Sequence, residues 1–253
     1  MPSMKYERIA ALYDIYVQTD LDLDFFQNET KEISGEVLEL MSGTGRVSIP
    51  LFEAGVHLTC VDNCPEMLNI FQQKMKHQTI KIVVHEMDVC ELSLNKSFDL
   101  IFIPFHSFAE ILSLSEQQKA LKAIHQHLTE TGRFICTLHN PPIRLKSVNG
   151  QLKLLGKYPL HNKEGTLLLW SLENYNPSQQ IVEGFQLYEE YDKHGKMCSK
   201  TLVELKFYLH KPETFELLIK NMGFKVTSLY GDYSKAPFQK NNSPFMIWVL
   251  QKE

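Results

Sequence analysis

The spacing of apolar residues changes along the chain, and each change marks a structural boundary. Between Lys5 and Glu32 the residues Ile9, Leu12, Tyr13 and Tyr16 recur at helical spacing. Asp20 or Asp22 is placed to start a second helix carrying Leu23, Phe25 and Phe26. After Gly35, short apolar runs alternate with helical segments. Strands are predicted over residues 36–40, 57–61, 81–87, 98–103 and 133–138. The helices between them run up to Phe52, over 65–76 and over 115–128. Gly55 suits the end of the first of these and Pro65 the first turn of the next. Strands alternating with helices imply a parallel sheet covered on both faces, wound by right-handed crossovers.

Between His139 and His210 the pattern breaks. Residues 152–159, 166–175, 181–191 and 199–208 read as long strands joined by the turn-rich segments HNKEG, NPSQQ and DKHGK. That is an antiparallel meander. A helix over 212–222 closed by Gly223, a strand over 224–230 and a last strand over 244–251 restore the α/β texture. The predicted organisation is therefore an α/β core from residues 1–139 and 211–253, with an inserted antiparallel region at 140–210. That region either covers an acceptor pocket or mediates homodimerisation.

Composition narrows the function. The 253 residues are 43% hydrophobic and 22% charged, ordinary for a globular core. A net charge of −4 provides no general footprint for nucleic acid, so none is expected as a partner. The start, MPSMKYERIAALYD, lacks the pattern of a signal peptide. No apolar run reaches the ~18 residues of a membrane span. Five scattered cysteines suggest no disulfide framework and suit a reducing cytoplasm, where the protein is expected to reside. Cys60 and Cys64 have no second pair at matching spacing, so no metal site is expected.

The candidate chemistry sits at strand ends. In ELMSGTGR a strand runs into a glycine turn and a helix start, where backbone comes close to a ligand and free N–H groups favour an anionic group. No Gly-Lys-Ser/Thr follows, so it is not a phosphate-binding loop. The place of the third glycine of a dinucleotide fingerprint holds Ser48, which weighs against a nicotinamide-dependent oxidoreductase. Asp62, ending the second strand, is placed to accept from ribose hydroxyls. Asp88 and Val89 close the third and suit an adenine ring. Asp99 opens the fourth strand and reads as structural. His106 and His139 follow the fourth and fifth strands and are candidate bases near neutral pH. Arg144, just beyond His139, is placed to bind an acidic acceptor but reads first as a solvated arginine.

The succession ELMSGTGR, CVDNCPEML, EMDV, SFDLIFIPFHSF and TGRFICTLHNP resembles the class I S-adenosylmethionine-dependent methyltransferases over nearly the whole core. The inserted meander is similar to that of the small-molecule members, such as the sugar-amine and glycine N-methyltransferases. The resemblance implies a Rossmann-like seven-stranded sheet of order 3-2-1-4-5-7-6 with the last strand antiparallel. It implies S-adenosylmethionine as methyl donor and a small-molecule acceptor, methylated on nitrogen or oxygen. Glu39, Ser42, Gly43, Gly45 and Arg46 would line the donor's methionine moiety, and Asp62 and Asn63 would face the ribose. Met67, Asp88 and Val89 would enclose the adenine. Tyr13 would sit over the donor near the methyl group, as a catalytic candidate beside His106 and His139. Phe105 completes the expected donor set. Met41 stands where the family usually has glycine; its side chain must point away from the donor or crowd it. That departure keeps a non-catalytic donor-binding protein as an alternative. Trp170, Tyr175, Tyr188, Tyr191 and Tyr208 are placed to roof an acceptor pocket or to pack within their sheet.

Overall fold

The computed structural model describes residues 4–76, 82–160 and 164–253. The start of the strand expected from Lys81 and most of the HNKEG joint lie outside these. Two helices, α1 (Ala10–Tyr16) and α2 (Leu23–Thr30), precede β1 (Val37–Leu40). There follow α3 (Ser48–Glu53), β2 (Leu58–Asp62), α4 (Pro65–Lys74), β3 (Val83–Glu86) and β4 (Phe98–Ile103). Then come α5 (Leu114–His127), β5 (Leu128–His139) and a single turn, α6 (Pro141–Arg144). The insertion comprises β6 (Lys153–Pro159), β7 (Gly165–Asn176), β8 (Ile181–Asp192) and β9 (Met197–Tyr208). The chain ends with α7 (Pro212–Asn221), β10 (Phe224–Tyr230) and β11 (Phe245–Lys252).

The seven-stranded sheet has the order β10-β11-β5-β4-β1-β2-β3. Its strands β1 to β5 are parallel, and β11 runs antiparallel to both β5 and β10. With β10 and β11 taken as the sixth and seventh strands of the core, this is the order 3-2-1-4-5-7-6. The turn of direction between β1 and β4 opens a crevice at the carboxyl edge, where such folds take ligands.

Alternation along β4 shows why both faces are covered. Ile101 and Ile103 pack on one face with Leu38, Phe134, Trp248 and the α5 residues Leu121 and Ile124. Leu100 and Phe102 pack on the other with Phe25, Phe26, Leu51 and Phe71. Successive side chains leave a strand on opposite faces, so one apolar run feeds both cores. Helix α5 starts on Ser113, whose hydroxyl accepts the Glu116 amide while Glu116 reaches back to it, a reciprocal cap. Asp22 precedes α2, but its carboxylate does not cap that helix. It holds Arg46 instead, with oxygens at 2.5 and 2.6 Å.

Strands β6 to β9 form a separate antiparallel sheet in sequence order. The N-terminal segment packs on it: Met4 bridges Leu205, and Met4 and Ile9 share a core with Leu167, Leu169, Tyr188 and Val203. Among the described residues no helix is long and apolar enough to cross a membrane.

At the edge of the large sheet opposite the crevice, Asp99 joins three strands. It accepts the Glu36 amide at 3.2 Å and the Thr129 hydroxyl at 2.9 Å. A Cβ on Gly35 would fall 1.7 Å from its Oδ2. Asp99→Ala is expected to cost about 1–2 kcal/mol in chemical denaturation, without changing ligand affinity at the far edge of the sheet.

Candidate active site at the carboxyl edge of the sheet

The loop after β1 turns sharply because three residues adopt left-handed backbone: Met41 at φ 59°, Gly43 at 56° and Gly45 at 80°. The two glycines serve different ends. A Cβ on Gly43 would meet nothing within 4 Å, which leaves its backbone open to the crevice. A Cβ on Gly45 would lie 2.6 Å from the Phe71 ring, so there glycine permits α4 to close on the loop. Met41 tolerates a conformation that glycine adopts freely, at a strain of about 1–2 kcal/mol. Its side chain lies at the floor of the crevice and also touches the core.

Asp62 ties this loop to the next. Its carboxylate accepts from Gly43 N at 2.7 Å and from Cys64 N at 2.8 Å. Burial raises its pKa, and the Cys64, Gly43 and Asn63 amides oppose that rise. Asp88 likewise accepts from Cys90 N at 2.8 Å, which holds the turn after β3.

These loops bound a cavity of about 530 Å³. Of the residues singled out in the sequence, Tyr13, Met41, Gly43, Asp62, Asn63, Met67, Asp88 and Val89 line it together. Glu39, Ser42, Gly45, Arg46 and Phe105 are not in its lining. Glu39 is buried within β1 and accepts from Ser48 Oγ at 2.5 Å. Its burial pushes the carboxyl pKa up to about 8, against the Ser48 hydrogen bond and the Arg46 charge. Arg46, besides its pairing with Asp22, donates to Thr19 O and lies 4.7 Å over the Phe105 ring. It thereby clamps the α1–α2 connection to the glycine loop.

The structure corrects three readings. His106 and His139 stack on each other with centroids 3.8 Å apart, outside the cavity lining. Burial, with Arg144 nearby, lowers the His106 pKa to about 3. Burial, then the His106 and Arg144 charges, takes His139 well below the usual imidazole value. Neither ring titrates near neutral pH in this environment. Arg144 is not solvated: it pairs with Glu173 at 2.5 Å and lies 5.1 Å over Phe207. The insertion's aromatics do not line the cavity either. Tyr188 is buried and reaches it only indirectly, through a 3.1 Å hydrogen bond between its hydroxyl and that of Tyr16, with Tyr16 5.5 Å from Tyr13.

The lining also contains residues that sequence reasoning missed: Met4, Tyr6, Ser107 and Glu110. Tyr6 lies two helical turns before Tyr13, a spacing that was available as a signal. Glu110 had none, because the short 3-10 turn Ser107–Glu110 brings it back over the end of β4. Tyr6 donates to Glu110 Oε1 at 2.6 Å, and its ring centroid is 6.1 Å from that of Tyr13. Burial raises the Tyr13 pKa, so the phenol stays protonated and can donate a hydrogen bond.

Two outcomes follow from this packing. Gly45→Ala meets both a left-handed backbone and the Phe71 ring, and is expected to cost about 2–4 kcal/mol in thermal or denaturant unfolding. Glu39 holds its proton in the folded state up to a pKa of about 8, against 4.5 for a free carboxyl. Its contribution to stability is therefore full below the lower value and is lost as pH rises through the upper one. The buried His106 and His210, with pKa values lowered to about 3, act in the opposite sense, but only at more acid pH. Melting temperature is expected to fall between about pH 6.5 and 8.5, and Glu39→Gln is expected to flatten that fall.

Residues 37–132, which carry the strands and loops of the cavity floor, match the family model described as a methyltransferase domain. A protein of Geobacillus sp. (strain WCH70) named as a methyltransferase is 28% identical over 144 residues. That alignment spans 54% of this chain and 58% of the relative, little more than half of either. The glycine/sarcosine N-methyltransferase of Parasynechococcus marenigrum (strain WH8102) is 22% identical over 98% of this chain and 82% of its own. The solved structure of the CcbJ methyltransferase from Streptomyces caelestis superposes with a TM-score of 0.81 at 19% identity, covering 96% of both chains. That last likeness is one of fold. The domain match falls on the loops that shape the cavity, so residues 37–132 are similar to a methyltransferase domain and the whole chain shares the fold of solved methyltransferases.

Proposed function

We propose that this chain is an S-adenosylmethionine-dependent methyltransferase that methylates a nitrogen of a small molecule, with donor and acceptor meeting in the cavity beneath Tyr6 and Tyr13. The observation that carries the reading is the cavity itself. At about 530 Å³ it has the size of a small-ligand site, and a segment packed on the inserted sheet closes it over. The relative named as a glycine/sarcosine N-methyltransferase, aligned over nearly the whole chain, supports nitrogen as the acceptor atom.

The residues present suit the donor. Gly43 exposes backbone to the cavity, and Asp62 keeps lone pairs beyond the two amides it accepts, enough for ribose hydroxyls. Asn63 lies beside it. Met67 and Val89 offer apolar surface for an adenine ring, with Asp88 at the edge to accept from its amino group. Gly43 and Met41 would face the methionine end, and Glu39, Ser42, Gly45, Arg46 and Phe105 would support that end. When bound, the donor supplies a methyl group on a sulfonium, which passes to the acceptor lone pair as the carbon–sulfur bond breaks and its electrons stay on sulfur. The protein's part is positioning and exclusion of water. Tyr13 supplies a neutral phenol beside the reacting groups, and Tyr6 closes the opening above it. The four-stranded sheet stands behind this cover as its support.

Calorimetric titration tests the reading. S-adenosylmethionine and S-adenosylhomocysteine are both expected to bind and NADH is not. Asp62→Ala is expected to weaken donor binding by about 100-fold or more, since hydrogen bonds to a charged group are lost. Asp62→Asn, which retains a side-chain acceptor for the Gly43 amide, separates that loss from collapse of the loop. Binding of NADH alone would overturn the assignment.

A further inference from the structure

The cavity has a charge of one sign. Glu7, Asp62, Glu66, Asp88, Glu110 and Glu116 line it, and among the described residues no lysine, arginine or histidine does. Of the cations around it, Arg46 is engaged with Asp22 and Lys74 with Asp14 and the Thr44 carbonyl, while Lys119 acts on Cys90 from outside the lining. Several of the acids have evident duties. Asp62 and Asp88 hold the two loops, Glu116 accepts from the Ser113 hydroxyl that caps α5, and Glu7 and Glu66 lie exposed at the rim.

Glu110 is placed differently. It is half-buried at the end of the turn that follows β4, and Tyr6 fixes its Oε1 by a 2.6 Å hydrogen bond. Burial raises the pKa of Tyr6, Tyr13 and Tyr16, and the Glu110 charge adds to each rise; Tyr13 shares the cavity lining with it, its ring 6.1 Å from that of Tyr6. A carboxylate bordered by tyrosine rings in a water-restricted cavity is the chemistry that holds an ammonium group. The carboxylate takes a charge-assisted hydrogen bond, and the ring faces attract the cation. The same field opposes a carboxylate or phosphate on the acceptor.

We propose that Glu110, oriented by Tyr6 and bordered by Tyr13, receives the acceptor as an ammonium cation and takes its proton onto the carboxylate, which frees the nitrogen lone pair to attack the methyl group, so that the protein selects amines over alcohols and acids of the same skeleton. This rests on the donor reading of the cavity above and names the charge class of its second substrate. Glu110 is then a residue that touches substrate, and Tyr6 is a positioning residue acting through it.

The test uses the full chain and matched acceptor sets: 2-phenylethylamine, cyclohexylamine and glucosamine, each with its alcohol and carboxylate counterparts. Transfer of a labelled methyl group is followed by mass spectrometry. Binding of each probe to protein saturated with S-adenosylhomocysteine is measured by calorimetry. Amines are expected to bind and accept methyl in preference to their counterparts. Glu110→Gln is expected to raise the KM and Kd for the best amine about tenfold or more, leaving donor affinity and the weak binding of the alcohols unchanged. Glu110→Asp is expected to restore part of the loss. Tyr6→Phe is expected to raise the amine KM by a smaller factor than Glu110→Gln. Preference for alcohols or acids would overturn the proposal, as would amine binding unaffected in Glu110→Gln. Failure of every amine to bind while S-adenosylhomocysteine binds would also overturn it and leave the donor reading standing. Failure of S-adenosylhomocysteine to bind would instead remove the reading beneath it.

Discussion

The site depends on one carboxylate holding two loops together. Asp62 stands at the end of β2 and accepts amides from Gly43, in the loop after β1, and from Cys64, at the start of α4. Each loop alone is a short turn with no core of its own. Joined at Asp62, they become a single floor, with its curvature set by left-handed backbone at Met41, Gly43 and Gly45. The parallel sheet supplies the reason they meet, because β1 and β2 are hydrogen-bonded neighbours and end at the same edge. Gly45 then lets the Phe71 ring close beneath the loop. Sheet, loop and helix packing converge on one carboxylate that retains lone pairs facing the cavity.

Burial sets the chemistry around that floor. It protonates Glu39, keeps the Tyr13 phenol neutral, and strips His106 and His139 of basicity near neutral pH. Groups that a sequence suggests as bases thus become structural, and the charge that remains in the lining is carboxylate. The N-terminal segment completes the enclosure. It is held on one side by the inserted sheet through Met4 and Ile9, and on the other by Arg46, which grips Asp22 and the Thr19 carbonyl. The insertion acts on the cavity through this segment, with Tyr188 against Tyr16 as the contact between them.

Local patterning made the sheet legible before any coordinates. Periodicity located each core strand, and the motif order implied the strand sequence that the structure shows. The cavity residues on strand ends, Asp62, Asp88 and Val89, were readable for the same reason: their place follows from where a strand stops. Ends of elements were less legible. β5 begins at Leu128, where the pattern still reads as helix, because pairing with β4 extends it past what its own residues require. Glu110 and the Asp22–Arg46 pair escaped because tertiary contacts, far apart in sequence, decide them. The histidines misled because a lone imidazole at a strand end looks the same in sequence whether or not it is buried. Arg144 misled in the same way, since only the folded sheet brings Glu173 and Phe207 beside it.

The most direct test of the account is a crystal structure with S-adenosylhomocysteine. The adenine is expected between Met67 and Val89, the ribose hydroxyls on Asp62, and the thioether sulfur facing Tyr13 beneath the Tyr6–Glu110 contact. A ligand seated elsewhere, or an adenine outside the Met67–Val89 slot with Asp62 untouched, would contradict it.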